Sequence, residues 1–182
     1  MSDVHHVILG LLLDGPLSLY DLQKRFAGGL AHFYSASSGS IERALRQIVA
    51  VGHAVTEDDP DSRRRRRVYR ITPDGADAWR DWMHAPTARR ADAETTALAK
   101  VFLLGRVADA GERREVLAAI RGEAEASAAR LRALARDLDA QSSDLDEAAR
   151  TLFAPQRATL AYGLRAHDTL ITWLRECEAD FS

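Results

Sequence analysis

A mainly α-helical fold with one two-stranded β-hairpin is what this sequence predicts, and three observations predict it. Apolar residues recur at helical spacing in three short N-terminal segments. The pattern then switches to alternation on either side of a turn-rich stretch, and the second half of the chain returns to helical spacing in long runs. With 182 residues and 46% hydrophobic side chains, the chain can bury a real core.

The first segment, VHHVILGLLLDGPLS, carries Val4, Val7, Ile8, Leu11 and Leu12 at helical spacing, and Gly15-Pro16 stops it. Ser18 and Asp21, three residues apart, have the form of a capping box. They open a second helix through Tyr20, Leu22 and Phe26, expected to end at Gly28-Gly29. After the polar SASSGS run, Ser37 is the expected N-cap of a third helix that lines Ile41, Ala44, Leu45, Ile48 and Val51 along one face.

Beyond Gly52, HAVTEDD and RRVYRIT each alternate like a short strand, and DPDSR between them supplies turn residues. Thr72 and Pro73 then read as the N-cap and first residue of a fourth helix bearing Trp79, Trp82 and Met83 on one side. Ala85 to Arg90 is the expected domain boundary, giving an N-terminal domain over 1–85 and a helical domain over 86–182. The remainder reads as helices near 93–108, 112–141 and 145–179, with Pro155 kinking the last or marking its start. Leu117, Ile120, Ala124, Ser127, Leu131, Leu134 and Leu138 alternate by three and four, a heptad seam that wants a partner. Leu160, Leu164, His167, Ile171 and Leu174 offer one on the last helix. An antiparallel pair or a dimer interface satisfies both seams, with Leu131, Leu134, Leu138, Leu164, Ile171 and Leu174 as the expected dimer residues.

Three helices, a hairpin and a further helix are the order of a winged helix-turn-helix, whose third helix enters the DNA major groove while the wing lies along the backbone. The charge distribution agrees with that order. The formal net charge is only -2, and residues 1–85 hold eleven basic and eleven acidic side chains, yet six of those basic residues fall between Arg63 and Arg70. The run Arg63, Arg64, Arg65, Arg66, Arg67 sits where a wing would meet phosphates or a narrow minor groove. Ser37, Ser38 and Ser40 open the third helix, where hydroxyls and backbone N–H groups suit phosphate contact. Arg43, Arg46 and Gln47 lie away from its apolar face and are the base-reading candidates, arginine for guanine and glutamine for adenine. Tyr20 on the second helix completes the expected contact set. Glu42 is read as pairing with Arg46 at i,i+4.

Other chemistries lack support. Cys177 is the single cysteine, which excludes an intramolecular disulfide and a cysteine cluster for zinc. The six histidines have no metal-ligand spacing, and neither a nucleophile elbow nor a phosphate loop is present, so no catalytic residue, metal or cofactor is assigned. Trp79 and Trp82 read as packing residues, and Trp173 as either seam filler or ligand contact. No apolar run approaches the roughly 20 residues of a membrane span, and a cytoplasmic protein is expected.

The segments VILGLLLDGPLSLYDLQKRF, FYSASSGSIERALRQI, VGHAV and RRRVYRITPDGADAWRDW resemble the PadR-like transcriptional regulators in order and separation. GLRAHDTLITWL is similar to the helical C-terminal domain that accompanies many of them. The resemblance implies a homodimeric repressor of a nearby operon that binds double-stranded DNA, dimerises through its C-terminal helices and, in some members, is released by small aromatic or cationic compounds. The chain departs from the family pattern at Glu42-Arg43, where a Tyr-Pro pair is usual, and at Leu19, where a glycine is usual. A reading from another class also stays open: a helical interaction module whose arginine run docks on an acidic protein. Sequence preference among DNA duplexes separates the two.

Overall fold

The computed structural model describes residues 3–31, 33–34, 36–58, 67–87, 92–142 and 146–181. They divide into two compact units, Met1–Ala108 and Asp109–Ser182.

In the first unit, α1 (Asp3–Leu12) is the central helix. Leu9 and Gly10 are buried together with the helically spaced Val7, Ile8, Leu11 and Leu12. A helix that is apolar nearly all round belongs inside, and α1 packs against the third, fourth and fifth helices and the second strand. Gly10 is needed for that packing, because a Cβ there would lie 2.7 Å from Trp79 Nε1 and 2.9 Å from Leu103 Cδ1.

Helix α2 (Leu19–Arg25) starts at the Ser18–Asp21 capping box, both halves of which form. It does not end at the glycine pair. A π-helical turn, Phe26–Leu30, carries the backbone through Gly28 and Gly29, and its wider pitch turns both Phe26 and Leu30 into the core. Helix α3 (Ser38–Ala50) follows with Ser37 as its N-cap and Ile41, Ala44, Leu45 and Ile48 buried. Gly52, at φ 79°, makes the left-handed turn that leads out of it.

Strands β1 (Ala54–Asp58) and β2 (Arg67–Ile71) pair antiparallel, with Ala54 opposite Ile71 and Asp58 opposite Arg67. Leu17, in the loop between α1 and α2, exchanges two backbone hydrogen bonds with Tyr69, which fixes the hairpin to the helical core. The hairpin is therefore anchored at its base. Helix α4 (Pro73–His84) opens at the predicted Thr72 cap with Pro73 in the first turn, and it buries Trp79, Trp82 and Met83.

Helix α5 (Ala93–Leu103), with a 3₁₀ turn at Leu104–Arg106, packs on α1 and extends the first unit to Ala108, beyond the boundary expected after 85. Polar contacts explain its place. Thr96 Oγ1 donates to Asp3, Trp82 Nε1 donates to the same carboxylate at 3.3 Å, and the buried Lys100 donates to the Ala85 carbonyl at the end of α4. A cation suits the negative end of that helix.

The second unit is an antiparallel pair, α6 (Ala110–Ser142) and α7 (Glu147–Asp180). Asp146 caps α7, so Pro155 lies inside the helix rather than at its start. The buried stripe of α6 begins at Leu117, Ile120 and Ala124 as the heptad predicts, then moves to Ala128 and Ala135. A straight α-helix drifts about 20° per heptad, which turns Leu134 outward to 47% exposure. Arg121–Glu178, Arg132–Asp168 and Arg157–Asp139 ion pairs join the helices from end to end.

Candidate nucleic-acid interface

The start and outer side of α3 bring together half of the sequence-predicted contacts: Ser37, Ser38, Ser40, Arg43, Arg46 and Gln47. At its start Ser37 Oγ accepts from the Ser40 N–H at 3.2 Å, and Ser40 Oγ donates back to the Ser37 carbonyl at 2.7 Å. These two hydroxyls build the cap. Ser38 Oγ accepts from Gln23 Nε2, so a side chain of α2 orients the third serine. Gly39 between them faces open space, with no atom within 4 Å of an added Cβ. The positive end of α3 is therefore open to the close approach of an anion such as a phosphate.

One and two turns along, Arg43, Arg46 and Gln47 are all exposed. Arg43 makes no hydrogen bond or ion pair with the described residues, which leaves its full guanidinium for an outside partner. Arg46 Nη1 bonds Glu42 Oε1 at 2.7 Å, the i,i+4 pair expected from the sequence. The pair is solvent-exposed and worth little, so it can exchange for another partner. Gln47 is held from behind, its Oε1 lying 2.7 Å from His5 Nε2 on α1. Tyr20, 63% exposed, stands on α2.

Of the arginine run, Arg67 is described: it is the first residue of β2 and is exposed. Arg63, Arg64, Arg65 and Arg66 lie outside the described residues. Arg70, further along the strand, is engaged across the hairpin by a bidentate contact to Glu57, with Nε 3.0 Å from both carboxylate oxygens. Hydrogen bonding to Arg70 holds the Glu57 carboxyl below its ordinary value. The hairpin is thus pinned near its middle.

The expected dimer residues divide. Ile171 and Leu174 are buried, Leu131, Leu138 and Leu164 are half-buried, and Leu134 is exposed. His167 Nε2 lies 3.0 Å from Ser127 Oγ, placing a polar link in the α6–α7 seam. Among the described residues no group of three or more His, Cys, Asp or Glu side chains could hold a metal ion, and no helix is long and apolar enough to cross a membrane.

Sequence reasoning missed His5 and Gln23. They lie 42 and 15 residues from the groups they orient, and neither spacing belongs to a local motif.

The model of the Transcriptional regulator PadR-like family matches residues 8–81, and that of the Virulence activator alpha C-term matches residues 96–182. No curated protein matches the chain. Among solved structures it is similar to Bacillus subtilis PadR in complex with operator DNA, at 21% identity over 98% of both chains and a TM-score of 0.45. It is also similar to Bacillus subtilis PadR in complex with p-coumaric acid, at 20% identity over 98% of this chain and 94% of that one, TM-score 0.41. The Vibrio cholerae virulence activator AphA is 26% identical over 97% of this chain and 96% of that one, TM-score 0.41.

Proposed function

We propose that this protein is a DNA-binding transcriptional regulator that acts as a homodimeric, ligand-responsive repressor of a nearby operon, a reading supported by the match of residues 8–81 to the transcriptional regulator PadR-like family. One observation carries the placement of the DNA: the outer side of α3 presents a capped, open helix start at Ser37 to Gly39 directly before the unengaged Arg43. A phosphate at the helix start and a base edge at Arg43 are served by one approach of the duplex.

In this reading the two copies place α3 in adjacent major grooves about one helical turn, roughly 34 Å, apart. The arginines from Arg63 to Arg67 capture the flanking backbone, an interaction that weakens steeply with salt. Tyr20 and Ser38 add backbone contacts that fix the register. The second copy pairs through the α6–α7 hairpin, whose apolar Leu134, Leu152 and Tyr162 are exposed in the single chain. A small aromatic or cationic compound favours a pairing in which the two α3 helices no longer match the groove spacing. The chain between Ala108 and Asp109, at which one compact unit ends and the next begins, is the place for that adjustment.

Transcription in vitro from the promoter upstream of the protein's own gene tests the repressor assignment. Added protein lowers transcript in this reading. A rise in transcript would assign activation instead, and no change at saturating protein would remove regulation of that promoter.

A further inference from the structure

The outer side of α3 carries a negative charge in the middle of its basic residues. Gly39, Arg43, Arg46 and Ala50 are exposed and follow at intervals of four, three and four, which sets them opposite the buried Ile41, Ala44, Leu45 and Ile48. Gly39 and Ala50 hold no bulky side chain, so neither end of this line keeps the helix away from a groove floor. Glu42 flanks the line. Its Oε1 accepts from Arg46 Nη1 at 2.7 Å, and the Glu42 and Arg46 side chains are 49% and 66% exposed. A duplex that meets Arg46 therefore meets a carboxylate as well.

Each partner keeps capacity for a second contact: Glu42 Oε2 and Arg46 Nε and Nη2 have no partner among the described residues. In water the pair is worth little. Between a helix and a groove, where water is displaced, the attraction strengthens, and giving Arg46 up to a phosphate would strand Glu42 beside the anionic backbone. The two side chains therefore enter the groove together. The remaining arginine donors suit O6 and N7 of guanine. A carboxylate only accepts, and the donors on major-groove base edges are the amino groups, N4 of cytosine and N6 of adenine. Against the keto oxygen of guanine or thymine, Glu42 would set acceptor facing acceptor. Every base pair offers one amino and one keto group, so what Glu42 distinguishes is which strand carries which.

We propose that Glu42 and Arg46 act as one reading unit, in which Arg46 donates to a guanine and Glu42 selects an amino-bearing base, cytosine or adenine, over a keto base within one base step of it. The inference rests on the DNA-binding reading above. It gives Glu42 a role that a helix-surface ion pair does not have: it adds discrimination and lowers affinity for duplexes in which the amino group is missing from that strand.

Enrichment of bound duplexes from a random-sequence library tests it, using full-length wild-type protein, Glu42→Gln and Arg46→Ala. Wild type is expected to enrich a guanine in each half-site with cytosine or adenine within one step. Glu42→Gln keeps the length of the side chain but can donate as well as accept, so it fits either edge. It should reduce the amino-over-keto preference by about fivefold or more while the guanine stays. Arg46→Ala should erase the guanine and the amino preference together. Both positions are exposed, and unchanged melting temperatures would show that the variants keep the fold. A Glu42→Gln protein that binds all sequences more tightly with its motif unchanged overturns the proposal, because general repulsion from DNA then accounts for Glu42. An Arg46→Ala protein that loses only the guanine overturns the single unit. A wild-type protein that enriches no motif overturns the DNA reading and this inference together; a wild-type motif insensitive to Glu42 overturns only the latter.

Discussion

Asp14 accepts a hydrogen bond from Arg106 Nη2 at 2.6 Å, across 92 residues of chain. The contact ties the loop between α1 and α2 to the 3₁₀ turn that closes the first compact unit. Arg25 of α2 bonds the same Asp14 oxygen at 2.9 Å. Burial alone would raise the Asp14 pKa, but the hydrogen bonds and charges of Arg106 and Arg25 outweigh it and hold the carboxyl below its ordinary value.

Asp14→Asn should therefore lower stability by about 1 kcal/mol, a modest figure because the groups are partly exposed. A carboxyl with a depressed folded-state pKa contributes stability at neutral pH and loses it as pH falls below about 4. Urea melts at pH 7 and pH 3 check this: the gap between wild type and variant should narrow at the lower pH.

Gly75→Ala is the single substitution expected to damage the wing most. A Cβ at residue 75 would lie 2.0 Å from the His53 carbonyl oxygen and 3.0 Å from Ile71 Cγ1, so the first turn of α4 and the start of β1 would have to separate. Overpacking against backbone has no soft neighbour to yield, and the cost is about 3 kcal/mol. Thermal unfolding of the variant reads it directly, as a melting temperature lowered by roughly 10 °C or more.

His6 stacks on Trp82 with ring centroids 5.2 Å apart and planes within 2°. Burial is the largest influence on the ring and brings its pKa down to about 4, against an opposing pull from Asp3. The folded-state pKa lies below the unfolded value near 6.5, so the unfolded chain binds the proton first and stability falls as pH drops from about 6.5 toward 4. At pH 5 the loss amounts to about 1–2 kcal/mol after allowance for the part of the ring that water reaches. His6→Phe, which keeps an aromatic against Trp82 and cannot titrate, should flatten that segment of the pH–stability curve.

The parts of this protein that were legible in its sequence are those written in short-range chemistry. Ser18, Ser37 and Thr72 cap the helices expected of them, Pro73 sits in the first turn of α4, and Glu42 pairs with Arg46. Each depends on residues at most four apart. What escaped depends on packing between distant segments. The π turn through Gly28 and Gly29 forms because Phe26 and Leu30 both find the core. The α6 stripe leaves its heptad for Ala128 and Ala135, and α5 joins the first unit through Asp3 and Lys100. The hold of His5 on Gln47 has no local signature at all.

The central claim is that α3 reads sequence while the arginine run grips backbone, and anisotropy binding tests it most directly. Wild type, Arg43→Ala and Arg64→Ala/Arg65→Ala/Arg66→Ala would each be titrated with duplex from upstream of the protein's own gene and with a scrambled duplex of equal length, across a range of salt. Wild type should prefer the native duplex, and Arg43→Ala should reduce that preference by about tenfold. The triple arginine change should weaken both duplexes alike and flatten the salt dependence by up to about three phosphate contacts per chain. Equal wild-type affinity for the two duplexes, or a triple variant that binds as tightly as wild type at every salt concentration, would contradict the account.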